Sequence, residues 1–172
     1  MISSAGTRLS RHQSEHIVVT CWRTDAAFAR GTDPQGVPAY LSPRADLLSA
    51  RRPSTFRVTA SLGSSLEGAR ILRVYRAQVA AASIAAWERR AAELLTSLSA
   101  TDGLVAMRAG SSPAGAHSGS GLQVVAVSAW RDWDAVLAAT GGHIDRLLQE
   151  TELADVEEPI GVDHYELLGP DA

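Results

Sequence analysis

The alternation of apolar and polar residues is clearest in the second half of the chain. The segment from Arg70 to Val79 (RILRVYRAQV) is rich in β-branched and aromatic residues, which favours a strand. Because side chains alternate between the two faces of a strand, Leu72 and Val74 are expected on one face. The other face would carry Ile71, Arg73, Tyr75 and Ala77. Both faces are bulky, which predicts a sheet that is covered on both sides.

The segment from Ser83 to Ser99 has the spacing of an amphipathic helix. Its apolar residues recur every three or four positions and form one stripe: Ile84, Trp87, Ala91, Leu94, Leu95 and Leu98. The charged residues lie largely off this stripe, on the side expected to face water. Asp102 and Gly103 then predict the end of the helix and the start of a strand over residues 104–109.

The remaining elements follow from apolar runs and turn residues. A loop rich in Gly and Ser spans Gly110 to Gly121, and a nearly continuous apolar strand is predicted over residues 122–130. Asp132 is a candidate cap for the next helix, which a Gly-Gly pair interrupts at 141–142. A second helical piece is predicted from His143, and a last strand over residues 162–168.

The predicted order is strand, helix, strand, strand, helix, strand. This is the ferredoxin-like arrangement, an α+β fold in which two helices cover one face of a four-stranded sheet. The other face would expose Tyr75, Met107 and Trp130, a set of large side chains that needs a cover. We therefore expect a partner sheet, supplied by a second copy of the chain or by an equivalent unit within it.

The first part of the chain resembles a piece of the second. The segment from Val18 to Phe28 parallels the one from Val125 to Leu137, since both are apolar strands that end in Trp-Arg and continue into a helix. Short strand-helix segments also resemble one another by chance, so coincidence stays open as the alternative. The repeat predicts two units in tandem: an incomplete β-β-α-β copy over residues 1–66 and a complete ferredoxin-like domain over residues 67–172.

Composition narrows the functional classes. The net charge is −3 and the basic residues form no cluster, so nucleic acid is not an expected partner. No apolar run approaches the roughly 20 residues that span a bilayer, and the polar start lacks a signal segment, so we expect a cytoplasmic protein with no membrane partner. The single cysteine, Cys21, lies in an apolar run and is expected to be a buried, inert thiol. The histidines fit no standard zinc spacing, so no metal site is predicted.

Four segments of the second half resemble the antibiotic biosynthesis monooxygenase family: ILRVYRAQV, a helix carrying Trp87-Glu88-Arg89, DGLVAMRAG, and LQVVAVSAWRDWDAVLA. The most specific of them is the strand that ends in Trp130 and leads directly into a helix. The resemblance implies a dimeric α/β barrel, in which two ferredoxin-like sheets pack face to face, and hence a homodimer. It also implies a pocket between each sheet and its helices, large enough for a planar aromatic molecule.

The resemblance suggests catalytic residues as well. Trp130 matches the family's tryptophan, and His143 lies near the helical histidine of haem-degrading members, although at a wider spacing. The asparagine of both known schemes has no counterpart, because the chain contains no asparagine. Trp130 is therefore either a pocket wall or core filling. His143 is a proton shuttle, an iron ligand, or a polar residue at the start of a helix.

The strands add further candidates. Arg76 and Arg108 lie on strands, where a charged side chain is costly unless it is paired or faces a pocket, so either could hold a phenolate or pair with a carboxylate at the rim. We assign Arg76 to catalysis together with Trp130 and His143. The candidates for substrate binding are Tyr75, Trp87, Arg108 and Trp22.

Three functions stay open. The leading hypothesis is a cofactor-independent monooxygenase acting on an aromatic, polyketide-type small molecule, which needs no metal or flavin because an electron-rich phenolate can itself reduce oxygen. The second is a haem-binding or haem-degrading protein with His143 as the iron ligand. The third is a non-catalytic binding or assembly module of the same fold, which the absent asparagine and the incomplete first copy favour.

Overall fold

The structure, a computed structural model, describes residues 2–9, 14–33, 37–39, 54–112, 121–144 and 156–167. This part of the chain forms one seven-stranded sheet with α-helices. The strands are β1 (Ile2–Leu9), β2 (Ser14–Cys21), β3 (Arg57–Leu62), β4 (Ile71–Ala80), β5 (Leu104–Ser111), β6 (Gly121–Trp130) and β7 (Val156–Leu167). The helices are α1 (Asp25–Gly31), α2 (Ile84–Leu98) and α3 (Trp133–Ala139), and a 3-10 turn, Ala81–Ser83, leads into α2.

The strand order is β2-β1-β7-β4-β6-β5-β3, and every neighbouring pair is antiparallel. Within it, β7-β4-β6-β5 is the order of a ferredoxin-like sheet, with α2 between β4 and β5 and α3 between β6 and β7. The α+β ferredoxin-like fold predicted from the sequence is confirmed. Strands β1 and β2 extend this sheet beyond β7, and β3 extends it beyond β5.

Helix α2 covers one face of the sheet with the apolar stripe that the sequence predicts. Its buried residues are Trp87, Ala91, Leu94, Leu95 and Leu98. They share a core cluster with Tyr75 of β4 and Met107 of β5. Helix α3 closes the neighbouring part of this face, where Val136 packs beside Trp130 of β6. The two helices together bury one side of β4, β5 and β6.

The helix-free face carries the other set of alternating residues. Leu72 and Val74 lie there in a cluster with Tyr165 of β7. Two residues of β2, Ile17 and Val19, pack against this cluster. Of the two covers that the sequence leaves open, the structure thus has one within the chain, because β2, from the first part, packs over this face.

The position expected for three large side chains is wrong. The sequence analysis places Tyr75, Met107 and Trp130 on the helix-free face, whereas the first two contact the α2 cluster and Trp130 contacts the α3 cluster. The alternation along β4 is as predicted, but both of its faces are apolar. The pattern therefore could not show which of them the helices cover.

Strand β7 begins earlier than predicted. The sequence analysis starts the last strand at Val162, after a proline and a glycine, but the strand runs from Val156. Proline has no amide hydrogen for the ladder and is tolerated where pairing is irregular. The register between β7 and β4 shifts at this point, between Gly161 and Pro159. The irregularity lets the strand continue through both residues.

The two ends of the sheet are built alike. β1 pairs with β7 at one end, and β3 pairs with β5 at the other. β2 leads into α1 and β6 leads into α3, and each helix begins with a capping side chain. The Thr24 hydroxyl accepts from Ala27 N, and the predicted cap Asp132 accepts from Ala135 N. These correspondences agree with the tandem units over residues 1–66 and 67–172, which stay a prediction.

Two predicted segments lie outside the described residues: the second helical piece beyond Ile144 and the centre of the loop between β5 and β6. Across the described ranges, no helix combines the length and the apolar character that a membrane crossing requires.

Candidate functional site

A cavity of about 500 Å³ lies on the helix-free face of the sheet. Its walls come from β4, β5 and β6 on one side, and from β2, α1 and the approach to β3 on the other. This volume is within the usual range of small-molecule sites. The family resemblance implies a pocket between the sheet and its helices, whereas this cavity lies on the opposite face; on the helix side, buried side chains of α2 and α3 pack against the sheet.

The cavity is lined mainly by apolar side chains. Its aromatic residues, Trp22, Phe28 and Phe56, all come from the first part of the chain. The opposite wall includes aliphatic residues of β4 and β6: Leu72, Val74, Val125, Val127 and Ala129. Arg76 and Arg108 carry charge, and no carboxylate is found among the described residues that line the cavity. The cavity is therefore mainly apolar, has aromatic residues on one side, and carries positive charge from two arginines.

Trp22 stands where β2 passes into α1. Its ring meets that of Phe28 edge-on, with the ring centroids 6.3 Å apart and the planes at 78°. Gly31 lies directly against the indole, and a Cβ atom at this position would collide with it. The missing side chain at Gly31 thus leaves the space that the indole occupies. The structure places this substrate-binding candidate on the cavity wall.

Arg76 also lines the cavity, and it pairs with Asp163 of the neighbouring strand β7. Its Nη1 donates to Oδ2 of Asp163 over 2.8 Å. Asp163 lies opposite Val74 in the ladder, so Arg76 reaches it diagonally across the two strands. The two side chains are 35% and 20% exposed, so solvent screens their attraction less than it screens a surface pair. Asp163 itself is not among the lining residues.

Arg108 lines the cavity too, but its guanidinium is bound to the main chain. Its Nη1 donates to the carbonyl oxygens of Leu62 at 2.5 Å and Met107 at 2.7 Å, and its Nη2 donates to that of Gly63 at 2.6 Å. These bonds fasten the end of β3 to β5. The charge of Arg108 is thereby offset by three carbonyl dipoles, whereas within the described part of the chain the guanidinium of Arg76 pairs with one carboxylate, that of Asp163.

Three other candidates lie in the cores under the helices. Tyr75 and Trp87 pack in the cluster around α2. Trp130 is 0% exposed beside α3, and its Nε1 donates to Oγ of Ser128 over 2.9 Å. None of the three is among the residues that line the described cavity. Of the two interpretations of Trp130, this placement favours core filling.

His143 lies four residues beyond the last residue of α3. It is exposed, and its main-chain N–H donates to the carbonyl of Thr140. It is not among the residues that line the cavity. The structure therefore does not bring Arg76, Trp130 and His143 together around one space.

Asp163 and the aromatic pair Phe28 and Phe56 were missed by the sequence analysis. The signal for Asp163 was present, because it is a charged residue on a predicted strand, and the same argument singled out Arg76. The two phenylalanines gave no comparable signal, since an aromatic residue beside a short apolar run is equally typical of a core.

A second charged cluster lies at the end of β6. Arg131 donates to both carboxylate oxygens of Asp102 at 3.1 Å and to Asp132 at 2.9 Å. The hydrogen bond and the charge of Arg131 lower the pKa of Asp102. The N–H of Ala135, followed by Arg131, lowers the pKa of Asp132. The two carboxylates raise the pKa of Arg131 above its usual range. The cluster ties the turn before β5 to the start of α3.

The described residues offer no fit for haem in the arrangement that the sequence suggested. The proposed iron ligand, His143, is exposed and outside the cavity, and no histidine is among the described lining residues. Nor do the described ranges contain a group of three or more His, Cys, Asp or Glu side chains that could hold a metal ion.

No protein-family model matches the sequence, and no curated protein matches it either. Several solved structures have a similar fold, including the following three. One is an anthrone oxidase-like protein, with a TM-score of 0.62 and 13% identity over 97% of this chain and 76% of the other. Another is a monooxygenase candidate from Lactobacillus acidophilus, with a TM-score of 0.60 and 9% identity over 96% of this chain and 75% of the other.

The third is an uncharacterised ferredoxin-fold protein from Listeria monocytogenes that is related to antibiotic biosynthesis monooxygenases. It gives a TM-score of 0.54 and 11% identity over 96% of this chain and 80% of the other. The ferredoxin-like fold that the resemblance implies is thus the observed one, and the dimeric arrangement stays a prediction. Identities this low establish the fold and leave the reaction to the site itself.

Proposed function

We propose that the protein is a cofactor-independent oxygenase that binds an aromatic, polyketide-type small molecule in the cavity. The observation that carries this proposal is the cavity itself: about 500 Å³, apolar, and walled on one side by Trp22, Phe28 and Phe56. Aromatic side chains of this kind stack on or pack edge-on to flat rings. The fold shared with an anthrone oxidase-like protein supports the same reaction class.

The chemistry needs only the substrate and O₂. A methylene carbon between two aromatic rings takes up one oxygen atom and becomes a carbonyl carbon. Its two hydrogens leave with the second oxygen atom as water. Loss of a proton first makes the ring system electron-rich enough to pass electrons to O₂. The task of the protein is then to bind the ring system, exclude water and stabilise the anion.

Arg76 is the residue that we assign to the anion. It lines the cavity, and its guanidinium keeps N–H groups beyond the one that is bonded to Asp163. A fixed positive charge next to a developing oxyanion is worth more in an apolar cavity than in water. Trp130 and His143, which the sequence also suggested for catalysis, lie away from the cavity wall and have no role in this proposal.

Oxygen uptake with an anthrone is the direct test. We expect the wild-type protein to consume about one O₂ per anthrone and to form the corresponding quinone. Replacing Arg76→Leu together with Asp163→Leu should lower kcat/KM by about 10- to 100-fold, because an oxyanion contact of this kind is worth a few kcal/mol. His143→Ala, on the exposed turn after α3, is the matched control and should leave uptake unchanged.

Two results would contradict the proposal. No oxygen uptake by a folded wild-type protein, with an anthrone bound, would favour the non-catalytic binding module. Loss of uptake in His143→Ala but not in the Arg76 variant would assign the reaction to His143 and away from Arg76 and the cavity. Homodimer formation and a cytoplasmic location stay predictions of the sequence, and sedimentation velocity would test the first of them.

A further inference from the structure

The charges around the cavity are distributed unevenly between its lining and the residues next to it. The described lining contains Arg76 and Arg108 and no carboxylate, while the carboxylate of Asp163, on the neighbouring strand β7, accepts a hydrogen bond from Arg76. Arg108 donates three hydrogen bonds to main-chain carbonyls. Among the described residues, Arg76 pairs with Asp163, and 35% of its side chain stays exposed. One cationic group is therefore available to a bound molecule.

The cross-strand register leaves space beside this group. Gly161 is the residue opposite Arg76 on β7, and Val125 is opposite on β6. Beyond Val125, the same row continues to Gly110 on β5. On the β7 side, the residue opposite Arg76 has no side chain, and on the β6 side it is a valine, so neither direct neighbour has a long side chain that could cover the guanidinium. A ligand atom in the cavity can approach it.

We propose that the cavity selects a flat apolar molecule that carries one negative charge, and that Asp163 sets how strongly the anion is held. The anionic oxygen of the ligand would pair with Arg76, and its rings would lie against Trp22 and the phenylalanines. This inference rests on the proposed function for the identity of the site and deepens it by naming the charge of the substrate.

The role of Asp163 follows from its position. It holds the guanidinium in place through the 2.8 Å bond, and its negative charge opposes that of a bound anion. In a partly shielded site this repulsion is not fully screened. Asp163 is thus a positioning residue that weakens anion binding, which keeps an anionic ligand exchangeable. The overall net charge of −3 gives no general attraction for anions, so any preference for them must come from the cavity.

A matched pair of fluorescent probes tests the proposal without turnover. Anthracene-2-carboxylate and anthracene-2-carboxamide have nearly the same shape and differ in charge. We expect the wild-type protein to bind the carboxylate at least about tenfold more tightly at pH 7, since an ion pair with Arg76 adds to the shared apolar contact. The preference should shrink as salt is raised. Equal dissociation constants for the two probes would overturn the charge selectivity.

Variants assign the effect to residues. Arg76→Leu with Asp163→Leu replaces the ion pair by apolar side chains, which a fold tolerates better than one unpaired charge. It should abolish the preference for the carboxylate and keep carboxamide binding. Arg89→Leu, an exposed change on α2, is the control and should keep the wild-type preference. A preference that survives in the double variant would overturn the role of Arg76.

Asp163→Asn separates the two effects of Asp163, because the amide still accepts a hydrogen bond from Arg76 but has no charge. We expect it to bind the carboxylate about three- to tenfold more tightly and the carboxamide as before. Weaker carboxylate binding would overturn the role given to the charge of Asp163. Selective carboxylate binding without oxygen uptake would contradict the oxygenase proposal alone, and oxygen uptake with equal probe binding would contradict this inference alone.

Discussion

The indole Nε1 of Trp130 donates a hydrogen bond to Oγ of Ser128, two residues earlier on the same strand, over 2.9 Å. Both side chains are buried, and Trp130 packs against α3. A tryptophan that ends a strand beside a helix is thereby fixed as part of the core, with its polar atom satisfied inside the protein.

Removing the Ser128 hydroxyl, the acceptor for Trp130, should lower the stability of the protein and leave ligand binding unchanged. Ser128→Ala leaves a buried N–H without an acceptor, so we expect the free energy of unfolding to fall by about 1–3 kcal/mol. Urea denaturation followed by circular dichroism measures it, and Ser99→Ala, exposed at the end of α2, is the control. If Trp130→Phe instead left the stability intact and abolished binding of anthracene probes, the pocket-wall interpretation would be correct.

The contact between β3 and β5 depends on the absence of a side chain at Gly110. A Cβ atom there would run into the carbonyl oxygen of Arg57 and lie 3.1 Å from Cα of Val58. We expect Gly110→Ala to push β3 away from β5 and to lower the free energy of unfolding by about 1–3 kcal/mol, as overpacking does. Ser61→Ala, an exposed change on β3, should have little effect in the same denaturation experiment.

Gly31→Ala should displace the indole of Trp22, because the new methyl group would occupy the place of the ring. We expect both anthracene probes to bind more weakly, by about three- to tenfold, since the lost ring contact does not depend on charge. Fluorescence titration measures the two dissociation constants. Ala29→Ser, exposed on the same helix, is the control. A loss confined to the carboxylate would show that the indole does not form the apolar wall.

The cluster at the end of β6 makes the stability depend on pH. The pKa values of Asp102 and Asp132 are lower in the folded protein than in the unfolded chain. Their contribution to stability is therefore fully present above the ordinary aspartate pKa of about 4 and is lost as the pH falls through the lowered values. We expect Asp102→Asn to destabilise the protein at pH 7 and to make its further loss of stability towards pH 3 smaller than that of the wild type.

Urea midpoints at pH 7 and pH 3 give this comparison. Asp134→Asn, an exposed carboxylate in the first turn of α3, is the control, and it should follow the wild-type pH dependence more closely than Asp102→Asn does. Identical pH dependence in Asp102→Asn and the wild type would show that Arg131 does not hold this carboxylate in solution.

The pattern of neighbouring residues in the sequence was enough to predict much of the fold. The stripe from Trp87 to Leu98 has helical spacing, and Asp132 is a residue type that favours helix caps, so both could be read from neighbouring residues. The side of the sheet that the helices cover could not be read in this way. β4 is apolar on both faces, and only the packing of α2 against Tyr75 decides which face becomes the core.

The site was harder to predict for a related reason. Arg76 and Trp22 were named from the sequence and do line the cavity, while Tyr75, Trp87 and Trp130 are large side chains that pack under the helices. An aromatic residue at the end of a strand is equally compatible with a cavity wall and with the core under a helix. Asp163 could have been named as a charged residue on a predicted strand, but its pairing with Arg76 could not, because the two lie 87 positions apart and only the folded sheet brings their strands together.

The strand order has a geometric consequence. Each described strand runs opposite to its neighbours, and the count is seven, so the two outermost strands, β2 and β3, point in the same direction. Paired with each other directly, they would form a parallel ladder, unlike every other pair in the sheet. One further strand running the opposite way would be antiparallel to both. Because the number of strands is odd, any segment that joins the two outermost strands by antiparallel pairing must run opposite to both of them.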